Sequence, residues 1–302
     1  MKSPIGLLHV VFLTFFCLLF FPVRTAFAEA PLLAPKVGDV YKMTLVTERE
    51  HKDPNSSGSS ESRNTLIKSV VGIRADGLEL VYDLPESATE KERERQWEFP
   101  VRVFKPWAGP VQLLNVPELE ARVADWLTQF KLPRTACGST VFTWVAFRIE
   151  CDPQSVRKTI DRFDMGVSRL YEGAPFQDAA AQGTGKLTQK TIGPEGATFT
   201  AEMPLDPDTL RRARAEDDVT FGQMTNNPVT FEQAMAQREK EAVSGVVSVV
   251  FEADPAGNIH RRTKITKTNV TNASGEVEAT VRTETLKHML LPMPPQEKDG
   301  RK

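Results

Sequence analysis

The sequence predicts an α+β fold: a curved antiparallel β-sheet, open and half-barrel-like, with helices packed over one face. Three observations carry this reading. Strand-like alternation of apolar and polar residues dominates both ends of the chain, helical spacing is concentrated in the middle, and the last three strands form a meander joined by short turns. The chain is organised around CGSTVFTWVAFRIEC, from Cys137 to Cys151, the most apolar run beyond the N-terminal segment.

The 302 residues open MKSPIGLLHVVFLTFFCLLFFPVRTAFAEA. Lys2, an apolar core from Leu7 to Val23 and the small-x-small triplet Ala26-Phe27-Ala28 predict a signal peptide over 1–28, cut between Ala28 and Glu29. An uncleaved anchor is the alternative for a run of that length. Phe15 and Phe16 before Cys17 leave no lipid-attachment motif. Removal of 1–28 leaves one domain over 29–302, with flexible ends at 29–36 and 292–302, and two cysteines. An even count in a periplasmic or secreted chain predicts a disulfide between Cys137 and Cys151. The net charge of −2, with both signs interspersed, implies no nucleic-acid partner. No second stretch is long and apolar enough to span a bilayer.

The elements follow in order. GDVYKMTLVTERE alternates as a strand, and HKDPNSSGSSESRN reads as an exposed flexible loop. TLIKSVVGI and LELVYDL pair around Ala75-Asp76-Gly77. ESATEKERER is a solvated helix or linker, and WEFPVRVF and VQLLNV are short strands. A helix capped by Asn115, with Pro117 and Glu118 in its first turn, carries the stripe Val116, Leu119, Val123, Trp126, Leu127 and Phe130 until Pro133.

A straight strand from Thr140 to Glu150 would span about 36 Å at about 3.3 Å per residue. Disulfide Cα atoms lie within about 7 Å of each other. The segment must therefore double back, as a hairpin or as a helical turn plus a short strand. Closing it stabilises by about 3 kcal/mol in the chain-entropy model.

Asp152-Pro153 then starts a short helix with Val156, Ile160 and Phe163 inward. GAPFQDAAAQGTG is irregular. KLTQKTI and ATFTAEMPL form a hairpin around Gly193–Gly196. Asp206-Pro207 opens a short polar surface helix. Thr230 and Gln233 box the start of another, with Phe231, Ala234, Met235 and Ala242 inside and Gly245 as its stop. The meander GVVSVVFEA, NIHRRTKITKTNV and EVEATVRTETL turns at Asp254–Asn258 and Asn272–Gly275, where Gly275 supplies a bulge. That register aligns Val247, Ile265 and Val281 on one face. Ser248, Lys264 and Arg282 then fall on the other, with Arg262 opposite Glu284.

Little in the sequence carries chemistry. His51, His260 and His288 stand apart from one another and from any metal-ligand spacing, so no metal and no cofactor are expected. Ser155-Val156-Arg157-Lys158 lacks the companions of a serine-enzyme motif, and Gly183-Thr184-Gly185-Lys186 lacks the spacing of a phosphate loop. No catalytic residue is assigned and no enzyme is expected. The basic strand His260–Lys264 is either neutralised by Glu252 and Glu284 or faces an anionic partner.

The order of elements resembles the exported half-barrel proteins of Gram-negative envelopes, such as the periplasmic lipoprotein carriers, and several bacterial families of exported proteins without an assigned role. The resemblance covers most of the chain beyond residue 28 and rests on no specific motif. It implies an open barrel whose concave side holds an acyl chain or another apolar ligand. Phe142, Trp144, Phe147, Val247, Val249 and Phe251 are the expected wall of a cavity between sheet and helices. The expected role is thus a non-catalytic binding or carrier module for an apolar or lipid-like molecule. The alternative is a structural or interaction protein of the envelope, with a filled core and a partner surface on the charged sheet face.

Overall fold

The computed structural model describes residues 35–107, 109–142, 146–167 and 169–292. The chain divides into Met1–Ala30 and Pro31–Lys302. The expected leader, with Ala28 and Glu29 at its cleavage site, lies outside the described residues; everything below concerns the second unit.

The elements run β1 (Val40–Lys52), β2 (Ser57–Arg74), β3 (Gly77–Asp83), α1 (Glu90–Arg95), β4 (Val101–Pro106), β5 (Gln112–Leu113), α2 (Val116–Gln129), β6 (Thr140–Phe142), β7 (Ala146–Arg148) and α3 (Val156–Arg162). They continue with β8 (Pro175–Phe176), β9 (Gly185–Lys186), β10 (Thr188–Gly193), β11 (Gly196–Pro204), α4 (Pro207–Met224), α5 (Phe231–Arg238), β12 (Ala242–Ala253), β13 (Ile259–Thr271) and β14 (Val277–Leu290). Ten strands form one antiparallel sheet in the order β10-β11-β12-β13-β14-β1-β2-β3-β4-β5. The last strand pairs with the first at its centre, and β10 and β5 are free edges, so the sheet is open. This is the α+β antiparallel architecture the sequence predicts.

Local chemistry explains most of the boundaries. Thr89 with Glu92, and Thr230 with Gln233, form reciprocal capping boxes at the starts of α1 and α5. Asp152 and Asp206 accept amide hydrogens at the starts of the two Asp-Pro helices. Asn115 does not cap α2. Its Oδ1 accepts from the Arg102 amide at 2.9 Å, tying the helix start to β4 instead.

Four expectations need correction. Residues 51–64 are not a loop: β1 and β2 pair all the way to Lys52↔Ser57. Asp53 closes the turn by accepting from the amides of Asn55 and Ser56, each at 2.7 Å, and from the Ser56 hydroxyl at 2.6 Å. The composition looks like a loop because Ser57–Asn64 is exposed throughout and has no core to face. The Asp206-Pro207 helix is long rather than short. α5 ends at Arg238, and Ala242 is an exposed residue at the start of β12. Gly245 stops no helix; it lies within β12, where a Cβ would sit 2.3 Å from the Lys267 carbonyl oxygen.

The β13 register also differs. Glu252 pairs with Arg261 and Ala253 with Ile259, so His260 is the extra residue. Val247 therefore faces Thr266, Val249 faces Lys264 and Phe251 faces Arg262. Across β14, Lys264 faces Glu284, and no bulge interrupts the ladder beside Gly275. A one-residue shift sends every side chain to the opposite face. The charged residues of β13 consequently lie on the same face as Val247, Val249 and Phe251.

That face is the covered one. A first cluster joins Met43, Leu45, Leu66, Leu80, Tyr82 and Leu286 of the sheet to Leu119, Val123 and Leu127 of α2 and to Val156 and Ile160 of α3. A second joins Phe199, Met203, Val247, Val249 and Phe251 to Phe176 and Leu187 of the segment around β8 and β9. Cys137 and Cys151 are bonded, with Cα atoms 5.6 Å apart. Between them β6 and β7 pair antiparallel, so the chain doubles back as a hairpin. The Trp97 indole donates to the Glu150 carbonyl at 3.2 Å and ties this hairpin to the first cluster.

Candidate functional site

Three of the six expected wall residues, Val247, Val249 and Phe251, are wholly buried in the second cluster. The Phe251 ring meets Phe176 edge-on at 5.4 Å. A ligand could reach these side chains only by displacing the β8–β9 segment above them. Trp144 and the side chains of Phe142 and Phe147 lie outside the described residues.

Between the two clusters the covered face turns ionic. Glu284 of β14 is 8% exposed and meets three cations. Arg282 reaches its Oε1 at 2.8 Å, Lys264 its Oε2 at 3.3 Å, and Arg162, from the end of α3, its Oε1 at 3.9 Å. Burial works against the charge, yet Lys264, Arg282 and Arg162 together hold the Glu284 carboxyl below its ordinary range. Lys264 also reaches Asp178 at 3.1 Å. Arg262 donates to the backbone carbonyls of Asp164 and Arg162, pinning the end of α3 to β13. Arg261 and His260 point the other way, to Glu252 at 3.3 and 3.8 Å. The sequence foresaw Glu252 and Glu284 as neutralising partners. It missed Arg162, Asp164 and Asp178, which lie about a hundred residues away and reach the strand only through the fold.

At one end of this seam lies a second cluster of shifted groups. The Lys68 amine sits 4.5 Å from the Tyr41 ring centre and makes no ion pair among the described residues. Burial, with Lys105 nearby, drops its pKa to about 7. Lys105 is itself engaged by both Asp164 oxygens, at 2.6 and 2.5 Å. The His288 ring lies 4.3 Å from Tyr41 and its pKa falls to about 3, again through burial.

The opposite face is bare: neither core cluster draws on it, and among the described residues no helix packs over it. Strand alternation and register place Val46, Ile67, Val81, Val246, Val250, Ile265 and Val281 there. Thr44, Thr65, Thr263, Thr283 and Thr285 lie between them. A concavity of about 360 Å³ opens at the β1–β2 hairpin, lined by Glu48, Glu50, Glu61, Val281 and Thr283 together with Arg49, Ser59 and Ser60. A second cleft, of about 330 Å³, lies where α4 and α5 meet the sheet, and its wall is a salt-bridge network. There Arg214 reaches Glu278 at 2.9 Å and Glu241 at 3.2 Å, and Arg238 joins Glu241 to Asp218. Among the described residues no group of three or more His, Cys, Asp or Glu could hold a metal ion. No helix among them is long and apolar enough to cross a membrane.

Fold and surface together define an α+β protein built on an open antiparallel sheet with one covered and one bare face. No protein-family model and no curated protein matches the chain. Among solved structures it is similar to lipovitellin, in a study of lipid–protein interactions, at 10% identity over 85% of this chain and 25% of that one, TM-score 0.38. It is also similar to Ail, the attachment invasion locus protein of Yersinia pestis, at 4% identity over 84% and 100%, TM-score 0.17. A third is an outer membrane lipoprotein-sorting protein domain from Vibrio parahaemolyticus, at 9% identity over 84% and 87%, TM-score 0.19. The chain spans about a quarter of the length of the lipovitellin chain it matches. Likeness of this degree fixes neither a family nor a ligand.

Proposed function

We propose that this chain is an exported, non-catalytic binding module that carries an apolar, lipid-like ligand on the bare face of its sheet. The observation behind this reading is the chemistry of that face. Over β12, β13, β14, β1 and β2 its larger apolar residues are β-branched, with Met289 at one margin, and threonine methyls and the small Ala242 and Ala279 fill the gaps. Those strands present no Phe, Tyr or Trp side chain on that side. Protein interfaces concentrate their energy in Trp, Tyr and Arg anchors, and Val and Thr are under-represented there. A central stripe of aliphatic and threonine side chains, bordered by charged residues such as Lys42, Arg63, Lys267 and Lys287, suits an alkyl chain, which needs contact area and no directional partner. The Cys137–Cys151 bond supports an oxidising, extracytoplasmic setting.

The test is a chain-length series. Fatty acids of increasing length are titrated into the oxidised protein by calorimetry, in wild type and in Val250→Asp and Ile265→Asp. Affinity should rise with each added methylene, by up to about 0.8 kcal/mol, and both variants should lose it while staying folded. Affinity that ignores chain length, or survives both substitutions, overturns the reading. The interaction-protein alternative is favoured by one observation, the complete burial of Val247, Val249 and Phe251 in a filled cluster. It gains if a protein partner co-purifies and no alkyl ligand binds.

A further inference from the structure

Arg49 of β1 and Arg282 of β14 are direct cross-strand partners on the covered face. Such partners have Cβ atoms about 4.5–5.5 Å apart, and like charges placed so are destabilising. Arg282 spends one contact on Glu284. Arg49 forms no ion pair among the described residues, although the more distant Glu278 feels its charge. Arg162 overhangs the same spot, its guanidinium 3.5 Å from the Thr47 hydroxyl and 3.9 Å from Glu284. Lys264 lies one strand further on. Three carboxylates, Glu284, Asp178 and the more distant Glu278, which is itself paired with Arg214, thus face these four cations on a chain whose net charge is −2. The surplus is local and built by the register.

The floor around these cations consists of short hydroxyl side chains. Ser60 is the β2 partner of Arg49, Ser62 the partner of Thr47, and Thr266 the β13 partner of Arg282. Arg49, Arg282, Ser60 and Ser62 are exposed, whereas Glu284 beneath them is buried. A buried carboxylate that gathers three cations at one edge, beside a fourth cation held in no ion pair among the described residues, leaves room there for negative charge. Guanidinium forks match the oxygens of phosphate in paired hydrogen bonds, and hydroxyl groups complete such a shell.

We infer that Arg49, Arg282 and Arg162, with the hydroxyls of Thr47 and Ser60, form a binding site for a phosphate group. Glu284 and Lys264 position it without being displaced. The site lies on the face opposite the proposed apolar ligand, so either can fail without the other.

The experiment uses the oxidised protein, with thermal unfolding followed in sodium phosphate and in sodium chloride of equal ionic strength. Phosphate at ten times its dissociation constant should raise Tm by about 2–5 °C over chloride. The double variant Arg49→Gln/Arg282→Gln should lose that increment. Its stability in chloride is recorded as its own baseline, because Arg49→Gln removes a repulsion whereas Arg282→Gln removes a partner of the buried Glu284. Arg63→Gln on the bare face should keep the increment. Equal increments in wild type and the double variant would mean general salt exclusion, not a site, and would overturn the inference. The source of the phosphate is read by titrating inorganic phosphate against dihexanoyl phosphatidic acid below its micelle concentration. Tenfold tighter binding of the phosphatidic acid marks a lipid headgroup, equal binding marks free phosphate, and binding of neither refutes the site.

Discussion

Neighbouring valines of one strand show how differently the two faces of this sheet are used. In β12, Val247 and Val249 have no exposure, whereas Val246 and Val250 beside them are half-buried on the bare face. The residue type is the same and the backbone is continuous. Only the covering differs: loops and helices roof one side and leave the other wet. Burial there reports what the chain lays over a strand, not how apolar the strand is.

The sharpest test of this contrast lies in the second cluster. Phe251→Ala should cost about 3–5 kcal/mol in urea unfolding, because it empties the largest enclosed side chain of that face. A cost below about 1 kcal/mol would mean the cluster is loosely packed and open to a ligand after all. Next in size, joint replacement of Cys137 and Cys151 by serine should cost about 3 kcal/mol, by freeing the hairpin that closes the first cluster. Val249→Ala should cost about 2 kcal/mol, whereas Val250→Ala should stay within about 0.5 kcal/mol. Similar losses at both positions would erase the distinction between the faces.

The smallest effect is in pH. The pKa of Lys68 falls from 10.5 to about 7 on folding, so between those values the unfolded chain binds more protons. Stability from this group therefore rises with pH through that window and is flat below it. From pH 7 to pH 8.5 the gain should be about 1–2 kcal/mol, and Lys68→Met should abolish it. A fall in stability over that range in wild type, unchanged by the substitution, would show that Lys68 is well hydrated.

Features fixed by a few adjacent residues were legible in the sequence. The Asp152-Pro153 and Asp206-Pro207 starts, the Thr230–Gln233 box and the Cys137–Cys151 bond each follow from local rules, whereas the hairpin path between those cysteines was one of two open alternatives. The β1–β2 hairpin was not, because a strand exposed on both sides needs no alternation and looks like a polar loop. The phase of β13 was missed because nothing local marks His260 as the unpaired residue. That single residue decides where Arg262 and Lys264 point. The ionic seam was illegible for the same reason: Arg162, Asp178, Lys264 and Glu284 come from four distant segments, and only the three-dimensional register assembles them.

An open sheet of ten strands offers two rows of unsatisfied backbone groups to any passing chain. Here both outermost strands are stunted. β5 is two residues long, and β10 is broken by an irregularity between Gln189 and Thr191, with Lys190 at the break. Neither border is long or straight enough to template another strand. The molecule can keep one broad surface uncovered and still resist growing into filaments with its own kind.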